Sequence, residues 1–172
     1  MTPAELTAMM PYAASRAAAY AEPLTITMIE FDIDTPRRQA AFLANIAHES
    51  GSLRYVEEIA SGDAYEGRKD LGNTQPGDGR RFKGRGLPQI TGRDNYRDCG
   101  EALGLDLIAN PELLEQSLPA ARSAGWFWKT RSLGLIADAD KFGSVCRIWN
   151  GGYNGLDDRI IHWLRIRKVL GL

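Results

Sequence analysis

Apolar positions recur along this chain at helical rather than strand spacing. Phe42, Leu43, Ile46 and Ala47 form one stripe, Phe142, Val145, Ile148 and Trp149 a second, and Ile160, Trp163, Leu164 and Val169 a third. The intervals of three and four residues are those of a helix face. Thr2, Pro3 and Glu5 make a capping box with proline at the first helical position. Thr35-Pro36 opens the clearest helix, and Gly51 stops it. Thr91, with Asp94 three residues on, reads as the N-cap of another. Asn110-Pro111 starts a further helix, Pro119 to Lys129 is Ala- and Trp-rich, Asp140 caps the segment containing Trp149, and Asp157 leads the last. Pro11 and Pro23 are expected to divide the Ala-rich start into short pieces. Leu24 to Ile33 alternates in part like a strand, but Leu24, Met28 and Phe31 also fit a helix, and we read it as one.

Between Ser61 and Gly86 the pattern stops. This stretch holds eight Gly or Pro and few apolar residues. Loops of that length in compact domains are usually functional. No repeat or linker divides the chain, so residues 1–172 read as one mainly α-helical domain with a long polar loop.

Composition narrows the function by exclusion. With 44% hydrophobic and 25% charged residues, the chain is not disordered, collagenous or coiled-coil. At 172 residues a single domain buries roughly 70% of its unfolded surface, enough for its own core. A net charge of -1 provides no global attraction to nucleic acid. Two Cys and two His, far apart, argue against a disulfide scaffold or an all-protein zinc site; Cys99 and Cys146 read as buried free thiols. No run approaches the ~20 apolar residues of a membrane span. Glu5 comes early, without a basic region before an apolar run, so no secretory signal is read and synthesis in the cytoplasm is expected. The basic, apolar stretch His162 to Leu172 suits a membrane surface, but its Trp163 and Leu164 read better as core.

Several residues carry candidate chemistry. Glu49 follows Phe42 and Ile46 at seven and three residues, so it extends the apolar face of its helix. It also lies in the last turn, where unpaired carbonyls carry partial negative charge. Both effects disfavour the carboxylate, and a raised pKa suited to a general acid is expected. Glu58 is nine residues on. In a continuous helix it would lie ~13.5 Å away and ~180° round, but Gly51-Ser52 lets the chain fold back. Two carboxyls could then face each other at the ~6.5–9.5 Å of an inverting glycosidase. Glu57 and Glu66 are other acids within reach.

The segment Gly84-Arg85-Gly86-Leu87-Pro88-Gln89-Ile90-Thr91-Gly92-Arg93-Asp94-Asn95-Tyr96 combines close-approach glycines with neutral hydrogen-bonding side chains suited to sugars. It lacks a phosphate-loop pattern. From Arg80 to Arg97 six basic residues meet only Asp94, a local basic patch or a solvated loop. Asn150 with Gly151-Gly152, and Arg159 with Asp158 or Glu58 as candidate partners, form a third polar cluster. Trp126 and Trp128 suit sugar stacking or, more commonly, a core.

Ala47-His48-Glu49-Ser50-Gly51, then Gly84 to Tyr96, then Trp149-Asn150-Gly151-Gly152 followed by Asp158-Arg159-Ile160, occur in that order. Together they resemble glycoside hydrolase family 19 from about Phe31 to Leu172, and look most like its phage endolysin branch. The resemblance implies a lysozyme-like, two-lobed helical domain with a substrate cleft, cleaving β-1,4-linked N-acetylhexosamine polymers by inversion without metal or cofactor. It places Glu49 as general acid, Glu58 as general base and Thr91 on the attacking water. It assigns His48, Gln89, Asn95 and Asn150 to sugar binding, and Arg159 to ordering the carboxylates. The short span from Glu58 to Gly84 implies a more open cleft than in many endolysin relatives, and Pro88 replaces an apolar Ile. The expected partner is the glycan of bacterial peptidoglycan, met by a monomer after release from the host cytoplasm, with no nucleic acid and no stable membrane insertion. Rival readings are a chitinase, a lytic transglycosylase needing one carboxyl, and a non-catalytic wall-binding module.

Overall fold

The computed structural model describes all 172 residues. Nine α-helices run in the order α1 (Pro3–Met9), α2 (Ala17–Glu30), α3 (Pro36–Glu49), α4 (Asp78–Arg81), α5 (Arg93–Leu103), α6 (Ser117–Thr130), α7 (Leu133–Asp138), α8 (Phe142–Asn150) and α9 (Leu156–Val169). No sheet forms; the extended pairing is limited to isolated bridges between Glu57 and Arg85 and between Arg85 and Ile90.

Helix α3 is central, for reasons visible in its sequence. Thr35 caps it by accepting from the Arg38 amide at 3.2 Å, and Pro36 occupies the first position. Every residue from Ala40 to Ala47 is buried, and the alanines among them allow close neighbours. Helices α7, α8 and α9 pack around it. Arg38 reaches Asp138 at the end of α7, with Nη2 to Oδ2 at 2.6 Å, and the guanidinium holds that carboxyl below its ordinary range.

The core is divided. The larger cluster spans α1, α2, α3 and α6 to α9, including Phe42, Trp128 and Trp149. A second is built from Phe82, Ile90, Tyr96, Cys99, Leu103, Leu107 and Leu114. Phe31 and Phe127 touch both. This is the two-lobed helical arrangement expected, with the polar loop and α5 in the smaller lobe.

Several boundaries differ from the sequence reading. Pro23 does not end a helix; α2 continues through it to Glu30. A proline inside a helix costs ~3 kcal/mol or more, offset here by burial of Tyr20, Leu24, Thr27 and Met28 on both sides of it. Asp140 does not cap α8: it has φ 58°, Lys141 occupies the cap, and Asp140 instead binds Arg167 at 2.7 Å. Pro111–Glu115 is a 3-10 turn before α6. Helix α9 begins at Leu156, one residue before Asp157. Trp163 stacks on Phe142 at 4.8 Å, but Leu164, expected in the core, is exposed on the outer face of α9. No helix is long and apolar enough to cross a membrane. Both cysteines are buried free thiols.

The polar loop is tightly organised. Buried Asp78 takes the Arg93 guanidinium at 2.5 Å. Asn73 donates to the Tyr65 carbonyl and accepts from the Arg93 amide. Glu66 accepts from the amides of Gly77 and Gly79.

Two outcomes follow. Helices α2 and α6 touch at Gly125, where a Cβ would lie 2.2 Å from Phe31 Cδ2 and 2.7 Å from Thr27 Cγ2. Gly125→Val should therefore destabilise the protein by about 1–3 kcal/mol through overpacking; an unchanged urea midpoint would contradict that contact. The second concerns His162, on α9, whose burial pushes its imidazole below the ordinary value of 6.5. The folded state then binds this proton more weakly than the unfolded chain. Its contribution is present above pH 6.5 and lost as pH falls through the lowered value. Melting temperatures from pH 7.5 down to about pH 5 should fall less steeply for His162→Gln than for the parent.

Candidate active site

Glu49 is the last residue of α3. Arg159, in the first turn of α9 and 1% exposed, donates from Nη2 to Glu49 Oε1 and from Nη1 to Asn45 Oδ1 at 2.6 Å. Asn45 lies one turn before Glu49 on the same face and anchors its own amide on the Ala41 carbonyl at 2.8 Å. The guanidinium thus joins two residues of α3 to α9. Neither partner guessed for Arg159 from sequence, Asp158 or Glu58, is the one it meets.

After Glu49 the chain reverses. Gly51, Ser52 and Leu53 all have positive φ, at 54°, 57° and 67°. The Ser50 hydroxyl accepts from the Leu53 amide at 2.8 Å, and the Ser50 carbonyl accepts from the Arg54 and Tyr55 amides. Left-handed Ser and Leu are strained, and burial of Leu53 at 1% exposure holds them there. The outgoing chain then pairs with Gly84 to Gly86: the Gly86 amide donates to Val56 O, and the Glu58 amide to Gly84 O at 2.8 Å.

This pairing separates the acids. Glu57 faces Lys83 at 2.9 Å and Arg85 at 3.4 Å. Glu66 is bound to loop amides. The Glu58 carboxylate accepts from neutral donors, the Tyr65 hydroxyl at 3.0 Å and the Gly84 amide at 3.1 Å, while the Lys83 ammonium donates to the Glu58 main-chain carbonyl at 3.1 Å. Burial, and then the bond to Glu58, push the Tyr65 phenol up, so it remains a donor. A Cβ on residue 84 would lie 2.7 Å from Gln89 Oε1 and 3.2 Å from Glu58 Oε2. Glycine there lets the two side chains converge.

Residues 85 to 90 form a closed loop, with Arg85 and Ile90 exchanging both backbone hydrogen bonds at 3.0 and 2.7 Å. Pro88 sits within the loop, outside that pair. Gln89 has φ 59°, a conformation uncommon outside glycine, and its amide donates to the Gly86 carbonyl. Buried Arg85 fixes the base of the loop through Glu115 at 2.8 Å, the Arg81 carbonyl and the Tyr96 hydroxyl. Thr91 is not the N-cap of α5. That position is Gly92, without a side-chain cap, and Thr91 Oγ1 donates instead to the Gln89 carbonyl at 3.0 Å. Asn95 donates to the Thr91 carbonyl at 2.7 Å. Gln89, Thr91 and Asn95 are therefore one connected row.

His48 Nδ1 meets Asp158 Oδ2 at 2.7 Å, and its ring lies against Gly155. Asn150 ends α8, and its buried Nδ2 has no protein partner. The basic run from Arg80 to Arg97 is no free patch, because acids distant in sequence meet it: Asp63 pairs with Arg80, Glu57 with Lys83 and Arg85, and Asp78 with Arg93. Trp128 is buried and Trp126 packs on the smaller core. Asn45, Tyr65 and Arg85 escaped the sequence reading. Asn45 alone left a signal, as a polar residue one helical turn from Glu49 in an otherwise apolar run.

Known proteins are similar to this chain in sequence and fold. A family model described as chitinase class I matches residues 6–135. An endochitinase of Arabidopsis thaliana is 38% identical over 143 residues, covering 79% of this chain and 49% of the plant protein. A glycosyl hydrolase family 19 domain-containing protein of Haemophilus influenzae is 32% identical over 154 residues, covering 71% of this chain and 74% of that protein. The crystal structure of a bacterial family 19 chitinase aligns at a TM-score of 0.81 with 28% identity, over 99% of this chain and 94% of that one. The chain spans about half the length of the plant endochitinase it matches. The family model ends before Asn150 and Arg159, but the bacterial structure extends across nearly the whole chain. From the matched residues and the shared fold, this chain belongs to glycoside hydrolase family 19.

Proposed function

We propose that this protein hydrolyses β-1,4 bonds between N-acetylated amino sugars by inversion, and that its substrate is the glycan of bacterial peptidoglycan. The observation that carries the reading is the contrast between two carboxyls. Glu49 is fixed by a buried guanidinium, whereas the Glu58 carboxylate is aimed by neutral donors. In this scheme Glu49 gives a proton to the glycosidic oxygen as the bond to the anomeric carbon breaks. Water attacks the opposite face of the oxocarbenium-like centre, and Glu58 takes its proton. The Thr91 hydroxyl proton is committed to Gln89 O, which leaves a lone pair to accept from that water. The Gln89, Asn95, Asn150 and His48 side chains would meet sugar hydroxyls and acetamides.

An endolysin role fits this scheme: a monomer made in a bacterial cytoplasm and acting on the wall after release. Chitin oligomers are the second reading, favoured by the name endochitinase on the plant relative. Both substrates offer the same linkage to the same carboxyls.

Mass spectrometry of digested peptidoglycan tests the scheme. The parent should release ordinary reducing-end products, and Glu49→Gln and Glu58→Gln should each lower the rate by about 10²–10⁴-fold. Anhydro products surviving Glu58→Gln would replace hydrolysis with transglycosylation. Arg159→Lys keeps the charge but not the fork that reaches Asn45 and Glu49 together. It should lower kcat by about 10²-fold through misplacement of Glu49, with KM little changed; a KM effect alone would refute this positioning role.

A further inference from the structure

A concave site includes His48, the chain neighbour of Glu49. It is a pocket of about 470 Å³ lined by Tyr12, Arg16, His48, Arg54, Tyr55 and His162, together with Asp158. His48 links it to the reaction centre, being the neighbour of Glu49 on α3.

Its chemistry is that of an anion site. Nine of the sixteen arginines pair with a carboxylate, and Arg16 and Arg54 are among the seven that do not. Arg16 donates from Nη2 to the carbonyls of Tyr12 and Ser52, and its buried Nε has no partner. His162 is 7% exposed, and its Nδ1 is also buried without a partner. Both atoms are closed to solvent, so neither is offered to a ligand; the positive charge of the lining is that of the Arg16 and Arg54 guanidiniums. Asp158 also lines the pocket, bonded to His48 at 2.7 Å and 3.6 Å from His162, and its single negative charge offsets one of the two guanidiniums, leaving the lining positive. Tyr12 is 78% exposed and Tyr55 39%. The Arg54 guanidinium lies over the Tyr55 ring at 5.1 Å, so the rim combines charge with flat apolar surface.

We propose that this pocket binds a carboxylate of the acidic peptide carried by alternate sugars of peptidoglycan, and so selects that polymer over chitin. An unsubstituted N-acetylglucosamine chain has only hydroxyls and acetamides and offers two guanidiniums neutral acceptors alone. A peptide-bearing chain brings carboxylates that arginine recognises through charge-assisted hydrogen bonds. This proposal rests on the peptidoglycan reading above.

The test compares the parent with an Arg16→Gln, Arg54→Gln double variant on three soluble substrates: peptide-bearing glycan fragments, the same fragments stripped of peptide but retaining the lactyl carboxylate, and a chitin hexamer. Melting curves check that the variant is folded. KM for the peptide-bearing fragments should rise about tenfold, with kcat and both other substrates unmoved. An equal change on all three, no change on any, or a change confined to stripped fragments and peptide-bearing fragments alike would overturn the assignment to the peptide. A separate measurement keeps this distinct from the catalytic reading. The chain has two histidines, and their imidazole NMR signals are followed while a free acidic tripeptide is titrated into the parent. Shifts in His162 and His48 that are lost in the variant support the pocket even if peptidoglycan proves not to be cleaved. Silent imidazoles at millimolar peptide would overturn it even if peptidoglycan is cleaved.

Discussion

Arg159 is a full positive charge held almost entirely away from water. Removing such a charge from solvent costs several kcal/mol unless partners replace its hydration. The replacements here are Asn45 and Glu49 on α3 and, more distantly, the Asn154 carbonyl. The position of α9 against α3 and the orientation of Glu49 therefore depend on one another. A shift of either helix would leave a buried charge or a buried amide unpaired. Because Glu49 is the final residue of α3, the same network fixes where the following reversal begins.

The opposite side of the site is held differently. Glu58 and Gln89 converge on Gly84 through backbone pairing and close approach, and the supporting ion pairs involve Arg85 with Glu115 and Lys83 with Glu57. These groups belong to the smaller lobe and its connection. One carboxyl thus stands at the end of a central, fully packed helix, the other on a short paired segment beside a glycine-rich loop. The two are set by independent pieces of structure, which is how two carboxyls in one fold acquire unlike environments. The left-handed turn at Ser52 and Leu53 connects them.

Much of the architecture was legible from the amino acids. The capping residues Thr2 and Thr35 act as their positions suggest, and the apolar period marks α3 and α8; in α9 it locates the helix but not its buried residues, which are Arg159, His162 and Ile166. Residues 40 to 47 are buried all round α3, and the helical period puts Phe42, Asn45 and Ile46 on the side that carries Glu49. The glycine-rich segment does bring Gln89, Thr91 and Asn95 into one row. These features are local: they follow from which side chains satisfy nearby backbone groups and which face of a helix is apolar.

The helical class, the main breaks and the side of α3 that carries Glu49 are therefore readable in the amino acids alone. Tertiary structure decided the remainder, because each such feature depends on a partner distant in the chain. Pro23 continues a helix because flanking residues of α2 are buried against other elements. Thr91 leaves the cap because its hydroxyl finds the Gln89 carbonyl of a closed loop. The basic run is neutralised by Asp63, Asp78 and Glu57, and Glu58 is distinguished from Glu57 only by which neighbours each meets. Local spacing encodes the direction of a side chain along its own element; the field and hydrogen bonds around it are supplied by residues that only folding brings near.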